Sequence, residues 1–166
     1  MIDPITVFMK GTMPELSEPP MIAATMMFVR SAMAQCFDKS GQPIADHCIR
    51  VMHAMGQNAT DNEKLVALLH DLLEDTEHTA EGLLAMGYPA EVVDAVVVLT
   101  NKPEREYFTY LRSIVASGNN LALRVKMADN LDNGDPRRIA TLDHAHRERF
   151  AERYRRAWRI LTQQET

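Results

Sequence analysis

The chain has 166 residues, of which 46% are hydrophobic and 25% charged, and a formal net charge of −5. That length suits one domain with a sizeable core, and the acidic balance excludes a strong overall attraction to nucleic-acid polymers or acidic membranes. Cys36 and Cys48 make no zinc motif and read as two free, mostly buried thiols in a reducing compartment. Residues 1–12 lack the pattern of a signal peptide and no apolar run approaches a membrane span, so the expectation is a cytoplasmic protein.

Residues 1–19 carry Pro4, Gly11, Pro14 and Pro19 and read as an irregular lead-in, with the folded domain over 20–166. An Ala- and Met-rich stretch from Pro20 to about Phe37 predicts a first helix, and Asp38 to Pro43 a loop. A second helix is expected from Ile44 to Met55, with Ile44, Cys48, Val51, Met52 and Met55 on one side. Asp61 is a candidate cap for a third, with Lys64 to Asp75 as its body. Thr79 to Met86 predicts a short helix stopped by Gly87. Pro89 starts another through Leu99, where a Pro-Ala-Glu start and 3.6-type spacing outweigh the strand preference of its valines. Further helices are expected over Pro103–Ala116 and Asn120–Asp132, the latter capped by Asn119. The last, roughly Asp143 to Gln163, puts Phe150, Tyr154, Ala157, Trp158 and Leu161 on one face. Nothing pairs as a hairpin. The expectation is an all-α single-domain bundle of about seven or eight helices.

The chemistry concentrates in His70-Asp71-Leu72-Leu73-Glu74-Asp75-Thr76, which follows the apolar run Leu65-Val66-Ala67-Leu68-Leu69. Carboxylates at the end of a buried helix are costly unless paired or bound to a metal. On a continuous helix His70 and Glu74 share a face, as do Asp71 and Asp75. His47 lies on the apolar side of the second helix. Asp129 interrupts an apolar face, with Lys126 three residues before it and Asn133 four after. Together His47, His70, Asp71 and Asp129 offer two imidazoles and two carboxylates, which suits Mn²⁺, Fe²⁺ or Zn²⁺ and leaves positions for water and substrate. An imidazole beside further carboxylates also suits proton transfer.

The order His47, His70-Asp71, Glu74-Asp75, Asp129 resembles the HD superfamily of metal-dependent phosphohydrolases. Within it, the chain is most similar to the hydrolase domain of RelA/SpoT-type enzymes and to small alarmone hydrolases, which hydrolyse (p)ppGpp. Gly41-Gln42-Pro43-Ile44-Ala45-Asp46-His47 is similar to that family's Gly-x-Pro-Tyr-Ile-x-His. Ala67-Leu68-Leu69-His70-Asp71-Leu72-Leu73-Glu74-Asp75-Thr76 is close to its central motif, and Lys126-Met127-Ala128-Asp129-Asn130-Leu131-Asp132-Asn133 resembles Lys-Leu-Ala-Asp-Arg-Leu-His-Asn. The likeness covers about residues 22–140.

The resemblance implies a helical domain holding one divalent metal, usually Mn²⁺, on His47, His70, Asp71 and Asp129. Glu74 and Asp75 are implied to orient an attacking water and shuttle protons, with pyrophosphate leaving from the ribose 3′-oxygen. Lys39, Lys126 and Asn133 are the implied substrate contacts; the partner is a small-molecule nucleotide rather than a polymer, and a homo-oligomer is left open. The chain departs from the pattern at Asp38, where the family has Arg, and at Met33-Ala34-Gln35-Cys36, Ile44, Asn130 and Asp132. An Asp at 38 is expected to repel an anion. Two alternatives stay open: a hydrolase of a different phosphorylated nucleotide, and a nucleotide sensor without turnover. Arg147, Arg149, Arg153, Arg155, Arg156 and Arg159, interleaved with Glu148 and Glu152, read as a solvated face of the last helix.

Overall fold

The computed structural model describes residues 20–38 and 41–164. The lead-in expected over 1–19 and the implied substrate contact Lys39 lie outside the described residues. Those described form ten helical segments: α1 (Pro20–Ala32), α2 (Ile44–Ala54), α3 (Asp61–Leu69), α4 (Leu72–Asp75), α5 (Ala80–Ala85), α6 (Ala90–Leu99), α7 (Tyr107–Ala116), α8 (Asn120–Asn133), α9 (Pro136–Ile139) and α10 (His144–Leu161). The all-α expectation holds. Eight segments have six residues or more; α4 and α9 are four-residue turns. There is no strand among the described residues, only an isolated antiparallel bridge between Phe37 and Pro43.

Side-chain caps set most boundaries. Thr60, rather than Asp61, starts α3: its hydroxyl accepts from the Glu63 N–H, and the Glu63 carboxylate accepts from the Thr60 N–H at 2.8 Å. A Ser/Thr followed three residues later by Glu satisfies two orphan amides at once. Glu63 is buried and also pairs with Arg124 of α8 at 2.5 Å, so the cap fastens α3 to its neighbour. Thr79, Asn119 and Asp143 cap α5, α8 and α10 more simply, each side chain accepting one backbone N–H, from Gly82, Ala122 and His146. The seventh helix starts at Tyr107, capped by Glu106, rather than at Pro103. The expected third helix does not run unbroken to Asp75; it stops at Leu69, turns through His70 and Asp71, and resumes as α4.

A continuous hydrophobic core runs from Ile22 on α1 to Leu161 on α10. Its centre is α3, whose Leu65, Val66, Ala67, Leu68 and Leu69 are all buried. Helices α2, α3 and α8 pack on one another, α6 closes the far side of α3, and α10 lies across α7 and α8. The apolar run that precedes the charged motif is thus buried on every side, and the motif emerges at its end. No described helix is long and apolar enough to cross a membrane. Cys36 and Cys48 are both free, the second buried.

Thr60→Ala removes half of the cap on the central helix and is expected to lower unfolding stability by about 1 kcal/mol. Leu68→Ala, at a fully buried position, is expected to cost about 2–5 kcal/mol. Denaturant melts of the two variants check both values and their order.

Candidate metal centre and cleft

Three mutually packed helices bring the four expected metal-binding residues together. His47 comes from the middle of α2, His70 and Asp71 from the turn between α3 and α4, and Asp129 from α8. One ligand atom each from His47, His70 and Asp71 lies within 4.8 Å of the others. Asp129 joins them: its Oδ1 is 2.9 Å from His47 Nε2 and 3.8 Å from His70 Nε2. Asp71 stands 3.3 Å from His70 Nε2 and 3.8 Å from His47 Nε2. His47, His70 and Asp129 are each less than a tenth exposed. The break at His70-Asp71 matters here, because it turns Asp71 beside both imidazoles at the end of the buried run.

Both imidazoles are aimed by their outer nitrogens. His70 Nδ1 lies 2.8 Å from the Ala67 carbonyl, and His47 Nδ1 lies 2.7 Å from Asp132 Oδ2. Each Nδ1 thus has an acceptor on its outer side, that of His47 also lying 3.2 Å from Arg138 Nη1, and each Nε2 faces inward toward the carboxylates. His70 Nε2 is buried and forms no hydrogen bond. Burial opposes charge on these rings, yet the carboxylates win: Asp129 and Asp132 raise the pKa of His47, and Asp71 raises that of His70 well above the ordinary value. Two inward-facing ring nitrogens, one of them buried without a hydrogen bond, and two converging carboxylates make a donor set that fits a divalent cation once the rings release their inward protons.

Asp129 is the most constrained member. Burial works against its charge, but Lys126 Nζ at 2.8 Å and the two imidazoles hold its pKa well below the usual range. Asn133 Nδ2 donates to Asp129 Oδ1 at 2.5 Å. The expected neighbours Lys126 and Asn133 therefore both touch Asp129 and also line the cavity beside it. Glu74 lines that cavity too, and its Oε2 accepts from the Asn101 backbone N–H at 3.0 Å. Asp75 follows it in the chain and lines neither that cavity nor the apolar one beside it. Both carboxylates reach solvent. Partial desolvation, then the neighbouring Asp71 and Glu74 charges, push Asp75 up to about 6, and Glu74 is also raised.

Two adjoining cavities form the cleft. The polar one, about 240 Å³, is floored by His47, Asp71, Asp129 and Glu74. The other, about 350 Å³, is walled by Phe37, Ile44, Ile139, Leu142, Phe150 and Tyr154. Tyr107, Lys126, Arg138 and Arg153 line both. Lys102, Arg105 and Arg112 line neither. Asp38 does not confront the cleft as a bare charge: Oδ1 accepts from the Gln42 N–H at 2.9 Å and Oδ2 pairs with Arg138 at 2.9 Å.

Arg138, Arg153 and Asn101 are among the site residues that sequence reasoning passed over, with Tyr107 and Tyr110. Arg153 carried a signal, since it stands three residues after Phe150 and one before Tyr154, at the edge of an apolar stripe. Arg138 and Asn101 carried none; each reaches the cleft only through the placement of a short turn or a helix end.

No family model matches the chain. It is 31% identical, over 116 residues, to a guanosine-3′,5′-bis(diphosphate) 3′-pyrophosphohydrolase of Haemophilus influenzae, a match covering 64% of this chain and 17% of that protein. The chain thus spans about a sixth of the length of that relative. Its fold matches a solved structure described as a metazoan ortholog of SpoT that hydrolyzes ppGpp and plays a role in starvation responses. That match has a TM-score of 0.67 at 20% identity, over 93% of this chain and 98% of the other. The likeness drawn from the motifs is borne out, in sequence by the first comparison and in fold by the second.

Adding Mn²⁺ or Zn²⁺ to metal-stripped protein is expected to raise the melting temperature, by roughly 5–10 °C at about a hundredfold excess over Kd. The increment should vanish in His70→Ala and Asp71→Asn, whatever their own baseline stability. An unchanged increment in either variant would move the cation elsewhere.

Proposed function

We propose that this chain is a metal-dependent phosphohydrolase acting on a nucleotide, and that its substrate is the alarmone (p)ppGpp, cleaved to release pyrophosphate from the ribose 3′-oxygen. The observation that carries the reading is the inward convergence of His47, His70, Asp71 and Asp129 at the floor of a cleft whose other half is apolar and aromatic. Those four residues would hold the cation, Mn²⁺ being our choice, and residues 20–166 form the hydrolase domain. The proposed setting is the cytoplasm. The names of the two relatives above support the substrate.

The chemistry divides between the two halves of the cleft. When bound, the divalent cation supplies Lewis acidity toward a phosphoryl oxygen and makes a nearby water more acidic. The chain supplies the rest. The water oxygen bonds to the phosphorus carried on the ribose 3′-oxygen, and the bond from that phosphorus to the 3′-oxygen breaks. Asp75, its pKa raised to about 6, takes the proton of the water and can return one to the departing 3′-oxygen. Glu74 is held by the Asn101 N–H through one oxygen, leaving the other to orient the water. Lys126 and Asn133 steady Asp129 and face the phosphates, and Lys39 keeps the substrate-binding role that the resemblance implies. The apolar walls suit a nucleobase, which stacks on aromatic rings.

The test is hydrolysis of a nucleotide panel with Mn²⁺, with Zn²⁺ and without added metal. ppGpp should yield GDP and pyrophosphate, and the Glu74→Gln, Asp75→Asn double variant should lose about 10²–10⁴-fold in rate. Turnover of another nucleotide alone would keep the reaction class and change the substrate; binding without any turnover would make the chain a sensor. Because Asp75 must be deprotonated to accept a proton, the rate should fall as pH drops through about 6. A pH–rate profile of Asp75→Asn should lack that acid limb.

A further inference from the structure

The polar cavity is lined by three fully cationic side chains among the described residues, Lys126, Arg138 and Arg153, and two of them are committed. Lys126 is bound to Asp129 at 2.8 Å. Arg138 is clamped between Asp38, at 2.9 Å, and Asp132. Arg153 differs from both. Its guanidinium carbon lies 3.7 Å from the centre of the Tyr107 ring, and it has no carboxylate partner among the described residues. It is half-buried, on the edge of the α10 stripe that also carries Phe150 and Tyr154. Its contacts are with Tyr107, through the ring and a side-chain hydrogen bond, so the guanidinium is held in place with its charge unpaired by any described carboxylate and further N–H donors left for a phosphate.

Its position decides which phosphate. Arg153 borders both the apolar cavity and the polar one. On the nucleotide reading above, the base occupies the apolar half and the scissile phosphorus lies at the His47–His70–Asp71–Asp129 cluster. The sugar then bridges the junction, and the phosphate on its other end is the group that meets Arg153. The geometry points to Arg153 as a substrate-binding residue that grips the phosphate remote from the bond being cleaved. This inference rests on the proposed function for the identity of the nucleotide. It adds a determinant from the last helix, beyond the stretch where the family resemblance lies.

The experiment is calorimetric binding of GDP, guanosine and inorganic pyrophosphate to the whole 166-residue chain loaded with Mn²⁺, for wild type and Arg153→Gln. GDP carries the remote phosphates, guanosine none, and pyrophosphate is the leaving group alone. Arg153→Gln is expected to weaken GDP by about 10–100-fold, the loss of a charged bidentate contact, and to leave guanosine and pyrophosphate within about twofold of wild type, below the value of even one hydrogen bond. Unchanged GDP affinity overturns the inference. So does an equal loss for guanosine, which would make Arg153 a packing residue, or for pyrophosphate, which would put it at the leaving group. If Gln damages the fold, Arg153→Lys keeps the charge without the fork and carries the same comparison, with an expected GDP loss of about 3–10-fold. None of these ligands needs turnover, so a wild type that hydrolyses nothing would refute the proposed function and leave the result on Arg153 readable.

Discussion

Asp129 is a carboxylate buried in a helix face that packs against apolar neighbours, and the architecture of the site follows from keeping it ionised there. Removing a lone carboxylate from water is prohibitive unless opposite charge and hydrogen bonds replace the lost hydration. Lys126 and Asn133 do so from the same helix, one turn before and one turn after. His47 does so from α2 and His70 from the end of α3. Each helper then needs its own support. His47 leans on Asp132, Asp132 gathers Arg50 and Arg138, and Arg138 reaches across to Asp38. One buried charge thus organises a relay of alternating sign from the centre of the bundle to the loop before α2.

This relay explains which parts of the site the sequence could reveal. The i, i+3 and i, i+4 partners of Asp129 were legible because helix geometry alone makes them neighbours. His47 and His70-Asp71 were legible as polar residues in apolar surroundings, whose joint presence on three helices suggests a shared ligand. The bundle itself was legible from 3.6-residue periodicity and from Asn119 as a cap. The break at His70-Asp71 was not. Leu65 to Asp75 contains no Gly or Pro, and the turn there arises from tertiary packing around the cluster rather than from local propensity. Arg138 was hidden for a related reason. It sits on a four-residue turn started by Pro136 and capped by Asp135, too short for periodicity to register. The solvated-face reading of the last helix holds for Arg155, Arg156 and Arg159, all exposed. It does not hold for Arg153, where neighbouring Phe150 and Tyr154 outweighed charge composition.

The departures from the family pattern change meaning once they have partners. Asp38 was expected to repel an anion because it stands where the pattern has Arg. In the structure its carboxylate is spent on the Gln42 N–H and Arg138, and a guanidinium arrives at the same corner from α9. Asp132, in place of His, gives His47 a carboxylate acceptor, which fixes the ring and raises its basicity. Asn130, in place of Arg, turns away from the cleft: it is buried, and its side-chain N–H donates to the Tyr154 carbonyl at 3.1 Å. That bond draws α10 onto α8, the docking that brings Phe150, Arg153 and Tyr154 to the cleft. Substitutions that look like erosion of a nucleotide site when taken singly are coupled in space, and each coupling ends on a residue that lines the cleft or aims one of its imidazoles. Asp38 and Asp132 meet on one guanidinium, so the carboxylate of the entry loop and the carboxylate behind His47 are balanced together by Arg138.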